Sequence, residues 1–308
     1  MRLRPSPEHA EFGAVLHAAL ASPPPDPWKL LGSLGVTGLA VPFQPASAGA
    51  LVVAAEELGH HAVPGPLAAS IAAVPVLLSG CEDSPFAREW LPELAAGRVV
   101  ATLAAPPWLP VADGADTARI VLLAGFDSIR SGRGGPSYES MDSSRRIASI
   151  SPGGVVAEGP ALVPVIERAL NLGMLVCAAQ LLGLGRAMLE MSVEHARSRT
   201  QFGGPIGRFQ AVQHRLADVA VGLEFARPLL YAAAATFDSG RDVSAAKVAC
   251  GEAAHRAARA ALQIHGAAGY AWEHRLRPFL TKARALELSW GTPARHRARI
   301  MAELEKDL

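Results

Sequence analysis

The sequence is poor in cysteine, in net charge and in uninterrupted apolar runs. Its three cysteines, Cys81, Cys177 and Cys250, stand far apart, and no two have metal-ligand or redox-pair spacing. They are expected to be reduced small hydrophobes in a cytoplasmic protein. A formal net charge of +1 leaves no excess to attract nucleic acid or an anionic membrane surface. The opening MRLRPSPEHAEFG has arginines but no apolar signal core after them. No uninterrupted apolar run reaches membrane-spanning length. The ten histidines, His60–His61, His195 and His265 among them, show no metal-ligand spacing with acidic support, so no metal site is expected. The serines lack a nucleophile-elbow context. What is present is an apolar half and only 19% Asp, Glu, Lys and Arg, a globular composition in 308 residues.

Three zones follow one another. Residues 1–98 mix helical patterns with Pro and Gly breaks: a helix over 8–21 interrupted by PPPDP (23–27), and WKLLGSLGVTGLAVP (28–42) as a short helix, a Gly break and an extended piece. Further helices are predicted over 48–59, stopped by EELG, and over about 66–79. Residues 99–160 carry strand patterns in VVATLAA (99–105), ARIVLLAGF (118–126) and RIASISP (146–152), with PPWLPVADGAD and SGRGGPS between them as turn-rich segments. Residues 161–308 read as helical almost throughout, with long helices over 161–197, 212–230 and 243–264. In the second of these Val212, Leu216, Val219, Leu223, Ala226 and Leu230 recur at steps of three and four, while Asp218 and Glu224 fall off the stripe. Ala-rich antiparallel helices joined by short Gly-containing loops predict a four-helix bundle. The expected fold is therefore mainly α, with an N-terminal helical domain, a small β domain and a C-terminal bundle.

Two turns carry most of the chemical information. In RSRTQFGGPIGRFQAVQHRLAD (197–218) a long helix ends in arginines, a Gly/Pro loop follows, and a new helix opens near Phe209. Glycine freedom, a helix start and guanidinium groups suit an anionic group such as a pyrophosphate. In QIHGAAGYAWEHRLRPFLTKARALELSWGT (263–292), Gly266 and Gly269 let backbone approach a flat or extended ligand, and Gln263 can hydrogen-bond an amide or adenine edge. Taken singly, the first also fits an ordinary interhelical turn and the second a Gly-capped helix end.

Together they resemble the acyl-CoA dehydrogenase family. RTQFGGPIGRFQ is similar to the element in which Arg, Phe-Gly and a later Gln contact FAD, placing Arg199, Phe202, Gly203 and Gln210. QIHGAAGY resembles the Gln-x-x-Gly-Gly-x-Gly-Tyr turn, placing Gln263, Gly266, Gly269 and Tyr270, with Ala267 where a second glycine is usual. WGT (290–292) resembles the terminal Glu-Gly-Thr and adds Thr292 to the cofactor contacts. LGVTGLAVP, EELG, PGPL and WLPELAAG agree more loosely with the helical first domain. The resemblance implies FAD as cofactor, an acyl-CoA thioester as substrate and an electron-transfer acceptor. The reaction is removal of an α-proton by a carboxylate, with hydride transfer from the neighbouring carbon to the flavin. In family dimers the adenosine end of FAD reaches the neighbouring subunit, so the segments around Arg199 and Gln263 are expected against a partner's cofactor.

Two departures narrow this. The usual catalytic glutamate falls on Trp290, which has no basic site. The alternative position, on the first long helix of the bundle, falls near Leu172. Glu167, Glu273 and Glu287 are lesser candidates for a base, so the catalytic residue is unknown. The middle zone is also short and lacks the flavin-ring segments: the first position reads AAPPWLPVADGAD, and only SYESMDSSRRIASI (137–150) resembles the end of a reduced middle domain. Both departures resemble the shortened, base-lacking subunit of bacterial heteromeric acyl-CoA dehydrogenases, associated with bulky CoA thioesters including sterol side-chain intermediates. The competing expectations are a scaffold or binding protein that kept the fold without FAD, and an autonomous enzyme with an unrecognised base. Arg145–Arg146, Arg275–Arg277 and TPARHRARI (292–300) are expected to meet CoA phosphates or to be a solvated basic face.

Overall fold

The computed structural model describes residues 3–22, 25–81 and 83–306. Pro23 and Pro24 of the PPPDP break, and the first two residues of the chain, lie outside the described residues. The N-terminal zone is helical: α1 (Pro7–Leu20), α2 (Pro27–Ser33), α3 (Ser47–His60), α4 (Val74–Ser79) and α5 (Pro85–Ala95). Ser6 caps α1 and Asp26 caps α2, each side chain accepting from a backbone N–H one turn in. The helix expected over 66–79 is not regular, because a π-helical turn, Ala69–Ala73, precedes α4.

Strands β1 (Ala101–Ala104), β2 (Ala112–Asp113), β3 (Ile120–Ala124), β4 (Ser128–Glu139) and β5 (Arg146–Glu158) form one sheet in the order β1-β3-β4-β5-β2. Only β1 and β3 run parallel. The SGRGGPS segment read as a turn lies inside β4, and β5 runs past the expected end. Glycines weaken a strand in general, but here they mark irregular pairing. The β4–β5 register shifts between Ile129/Arg130, Arg130/Gly132 and Gly134/Ser137. A Cβ on Gly132 would stand 2.3 Å from Ile150 Cγ2.

The remaining helices are α6 (Val163–Ser198), α7 (Gln210–Ala235), α8 (Gly240–His265), α9 (Arg277–Leu288) and α10 (Pro293–Lys306). A two-stranded ribbon, β6 (Thr200–Gln201) with β7 (Gly204–Pro205), links α6 to α7. Helix α6 packs on α3, α7, α8 and α9, and α10 closes against α8. On α7 the stripe residues Val219, Leu223, Ala226 and Leu230 are buried, and Asp218 and Glu224 are exposed, as their spacing requires. Helix α6 with the turn before it is long and apolar enough to cross a membrane, yet 89% of its most apolar stretch is buried inside the protein. It is the central core helix. One hydrophobic cluster runs from Leu16 and Leu51 in the N-terminal helices through Leu175 and Leu182 to Ala254 and Leu286.

Glycine sets the closest of these packings. A Cβ on Gly183 would lie 1.9 Å from the Glu56 carbonyl oxygen, and one on Gly59 would lie 2.1 Å from that of Gln180. Backbone faces backbone there, so no side chain can yield. Gly183→Ala is expected to separate α3 from α6 and to cost at least about 1–3 kcal/mol. The urea midpoint should fall at unchanged slope.

Candidate functional site

The two motif-bearing turns meet at one end of the bundle. Arg199 caps α6, and Gln263 lies in the last turn of α8. His195 of α6 stacks on His265 of α8 with ring centroids 4.4 Å apart, and His274 closes edge-on at 5.1 Å. Burial holds the imidazoles of His195 and His265 below their ordinary range, so the stack is neutral at pH 7. An ion pair between Glu194 and Arg275 joins the same two segments.

Phe202 and Gly203 both take positive φ, +52° and +82°, in the turn of the ribbon. Arg208 braces that turn by donating to the carbonyls of Gly203 (3.1 Å) and Phe202. This role was not legible beforehand, because a residue that hydrogen-bonds backbone five and six positions away leaves no periodic trace. Gly266 ends α8 at φ +59°, a conformation strained for any L side chain, and open space lies where its Cβ would be. Gly269 is buried in the following 3-10 turn, Gly266–Tyr270.

Arg199, Gln210 and Gln263 are all exposed, and among the described residues their side chains make no hydrogen bond or ion pair. Around them Phe202, Tyr270 and Trp272 are 83%, 74% and 73% exposed. The Arg277 guanidinium lies over the Trp272 ring, and Phe209 meets Phe202 edge-on. Unpaired donors beside exposed aromatic side chains are the chemistry of a surface completed by something else. The donor set fits the adenosine and pyrophosphate end of FAD: amides for an adenine edge, a guanidinium for phosphate, and glycine turns that admit close approach.

Thr292 belongs to the opposite end. It stands immediately before α10, and its Oγ1 accepts from Arg295 N at 3.3 Å. From the same helix Arg299 donates to Asn171 on α6 at 2.8 Å. Asn171 and Arg199 are separated along α6 by about 40 Å at 1.5 Å per residue. The eight residues assigned to FAD therefore form two groups on one chain, Thr292 apart from the other seven.

At this second end the position expected to carry a base is closed. Trp290 is 5% exposed and sits at φ +58°. Its indole packs directly against α6, where a Cβ on Gly173 would come within 2.2 Å of the ring. Leu172, the alternative base position, is fully buried. His296 clamps the turn: Nε2 donates to the Trp290 carbonyl (2.9 Å), and Nδ1 accepts from Ser244 (3.0 Å). Burial, with Lys247 nearby, pushes His296 down to about 4, consistent with this neutral tautomer. Trp108 roofs Gly291, its ring 2.8 Å from where a Cβ would stand. The cavity bounded by Trp290, Leu67, Thr102, Leu109 and Gln180 is about 30 Å³. That is room for about two water molecules, against several hundred Å³ for a cofactor or acyl site. The residues at this end do not fit a flavin ring.

The other acidic candidates point elsewhere. Glu167 and Glu273 are exposed. Glu287 is held by Arg284 (2.7 Å) and lies 3.7 Å from His255, away from the Trp290 cavity. Buried Lys247 donates to the carbonyls of Leu286 (3.1 Å) and Glu287 (3.2 Å), finishing α9 just before the turn. Arg145, read as a basic surface group, is instead 7% exposed. It pairs with Asp113 at 2.9 Å and donates to Ser289 at 3.1 Å, tying the sheet to the residue before Trp290. Arg146 pairs with Asp116 at the surface.

Residues 163–305 match the model of the acyl-CoA dehydrogenase C-terminal domain. Acyl-CoA dehydrogenase IpdE2 of Mycolicibacterium smegmatis is 30% identical over 287 residues, covering 91% of this chain and 88% of the relative. The IpdE2 of Mycobacterium tuberculosis is 31% identical over 83% of this chain and 79% of its own length. Among solved structures, a glutaryl-coenzyme A dehydrogenase complex with glutaryl-CoA superposes with a TM-score of 0.84 at 20% identity, covering 99% of this chain and 97% of that one. A variant of the Tcur3481–Tcur3483 steroid ACAD superposes at 0.78 and 21% identity, covering 97% and 98%. With both the fold and most of the length shared, the chain belongs to the acyl-CoA dehydrogenase family.

Proposed function

We propose that this chain is one subunit of a flavin-dependent acyl-CoA dehydrogenase, and that a second, unlike chain of the same family supplies the catalytic base and the flavin-ring contacts. The observation that carries this is the contrast between the two ends of the bundle. Arg199, Gln210 and Gln263 offer unpaired donors at an exposed aromatic surface, while Trp290 and Trp108 fill the place where a base and a ring would act. FAD, when bound, supplies hydride acceptance. The part of this chain is to bind and orient. The guanidinium of Arg199 meets phosphate charge, Gln210 and Gln263 meet amide or adenine edges, and the Gly203 and Gly266 turns keep side chains out of the way. No group at Trp290 can hold a proton, so proton abstraction is assigned to the partner.

The substrate class is an acyl-CoA, and the resemblance to shortened heteromeric subunits favours a bulky, sterol-derived acyl group in a cytoplasmic enzyme that passes electrons to a separate acceptor. Arg199→Ala tests the binding role. Loss of a charge-assisted contact of about 1.5–3 kcal/mol weakens FAD retention by the two-chain enzyme roughly 10- to 100-fold. Glu167→Gln, a surface change, is expected to leave it unaltered. Unchanged flavin affinity in the Arg199 variant contradicts the assignment. A two-chain complex that never binds flavin supports the scaffold reading instead.

A further inference from the structure

We propose that His17, His60 and His61 form a binding site for one divalent transition metal of the zinc class, clamping α1 to the C-terminal end of α3. The site shares no residue with either end of the bundle described above, although Glu190 stands on α6 one turn before Glu194. His17 comes from α1, His60 is the last residue of α3, and His61 follows it. One ligand atom from each lies within 4.8 Å of the other two.

Part of the spacing already matches a coordination shell, and the widest histidine separation, up to 4.8 Å, closes by side-chain rotation when an ion binds. Four ligands around zinc at 2.0–2.1 Å stand about 3.3–3.4 Å from one another. His61 Nε2 lies 3.3 Å from His17 Nδ1. His60 Nε2 lies 3.4 Å from Glu190 Oε2. Glu57 Oε2 is 2.8 Å from the same His17 Nδ1. Three imidazoles with Glu57 or Glu190 make an N/O set that suits zinc, cobalt or nickel and not calcium or magnesium.

The cluster is poorly served without a cation. His17 Nδ1, which can hold at most one proton, faces both a carboxylate oxygen and an imidazole nitrogen. His60 is 8% exposed, and its Nε2 faces Glu190 at 3.4 Å. A metal ion in place of the shared proton satisfies several lone pairs at once. Glu57 stands between the charges: Oε1 accepts from Arg186 (3.0 Å), and Oε2 faces His17. His17 and Glu190 have side chains 46% and 60% exposed, which leaves an entry path from solvent.

The test uses the full chain without a histidine tag, stripped with chelator and titrated with zinc against a chromophoric indicator, then with cobalt. One equivalent of zinc, and the intense visible absorption of tetrahedral cobalt, are expected. His17→Ala and His61→Ala should each lower affinity by more than the roughly 10- to 100-fold that loss of an outer-shell partner causes. His214→Ala, on the exposed face of α7, should not change it. Because His17 and His61 are partly exposed, both variants are expected to keep the wild-type circular dichroism. Hydrogen exchange adds a readout independent of colour, since zinc should slow it in α1 of the wild type only. Absence of saturable binding overturns the proposal. So does binding that survives in both variants and is lost in His274→Ala, which would put the metal at the other histidine cluster.

Discussion

Replacing Trp290 by glutamate is expected to leave the isolated chain inactive and to destabilise it by about 3–5 kcal/mol. The usual base position is the obvious place to restore a carboxylate, so the expected failure is informative. The indole is 5% exposed and packs directly on Gly173. Removing a buried indole costs about that much through lost transfer energy and the cavity left behind. The new carboxyl would be buried beside Leu67 and Leu286, with Arg145 already committed to Asp113. Flavin-coupled oxidation of a panel of acyl-CoA thioesters, with FAD added, checks the activity, and urea unfolding checks the stability. Dehydrogenation by the single-chain variant would show that this chain holds a complete pocket after all.

Arg186→Ala should be comparably damaging, for a different reason. Arg186 donates to Glu56 at 2.7 Å and to Glu57 at 3.0 Å, where α6 crosses α3. Glu56 also receives Arg227 at 3.3 Å and the Tyr231 hydroxyl at 3.4 Å. Both carboxylates are buried, at 3% and 8% exposure. Burial alone would raise the Glu57 carboxyl, but Arg186 and His17 overrule it and hold it below its ordinary value. Taking one partner from a buried ion pair costs about 3–5 kcal/mol, because the stranded charge stays in the interior. The sign with pH follows. A lowered folded-state value contributes stability above the unfolded value, near 4.5, and loses it as pH falls through the folded one. The gap between wild type and variant should be largest near neutrality and should narrow below about 4.5 as the Glu57 carboxylate protonates. Urea midpoints taken across that range measure it. A gap independent of pH would remove electrostatics from the explanation.

How much of this could be read beforehand depended on the range over which each feature acts. The long helices were legible because burial imposes a local period. Val219, Leu223, Ala226 and Leu230 announce one face without reference to any other part of the chain. The glycine turns at Gly203 and Gly266 were legible because backbone conformation leaves a residue-level mark. The β4 strand was not, since its glycines serve irregular pairing with β5, and glycine in a strand resembles glycine in a turn. The eight proposed cofactor contacts could be named from motif likeness. Their division into two groups could not, because only the length of α6 separates Thr292 from Arg199. Trp290 at the expected base position could be noticed from the motif, while the roofing by Trp108 and the clamp of His296 depend on contacts made across the fold. His17 and the His60–His61 pair are 43 residues apart, and only the packing of α1 on α3 brings them together.

The central claim is that this chain holds one half of a shared flavin site. It is tested most directly by measuring bound flavin after purification of the chain alone, and again after co-expression with a family member that carries glutamate at the position of Trp290. The expected result is little flavin on the single chain, and a flavin-bound, acyl-CoA-oxidising hetero-oligomer from the pair. Full flavin occupancy with turnover by the chain alone would contradict the claim.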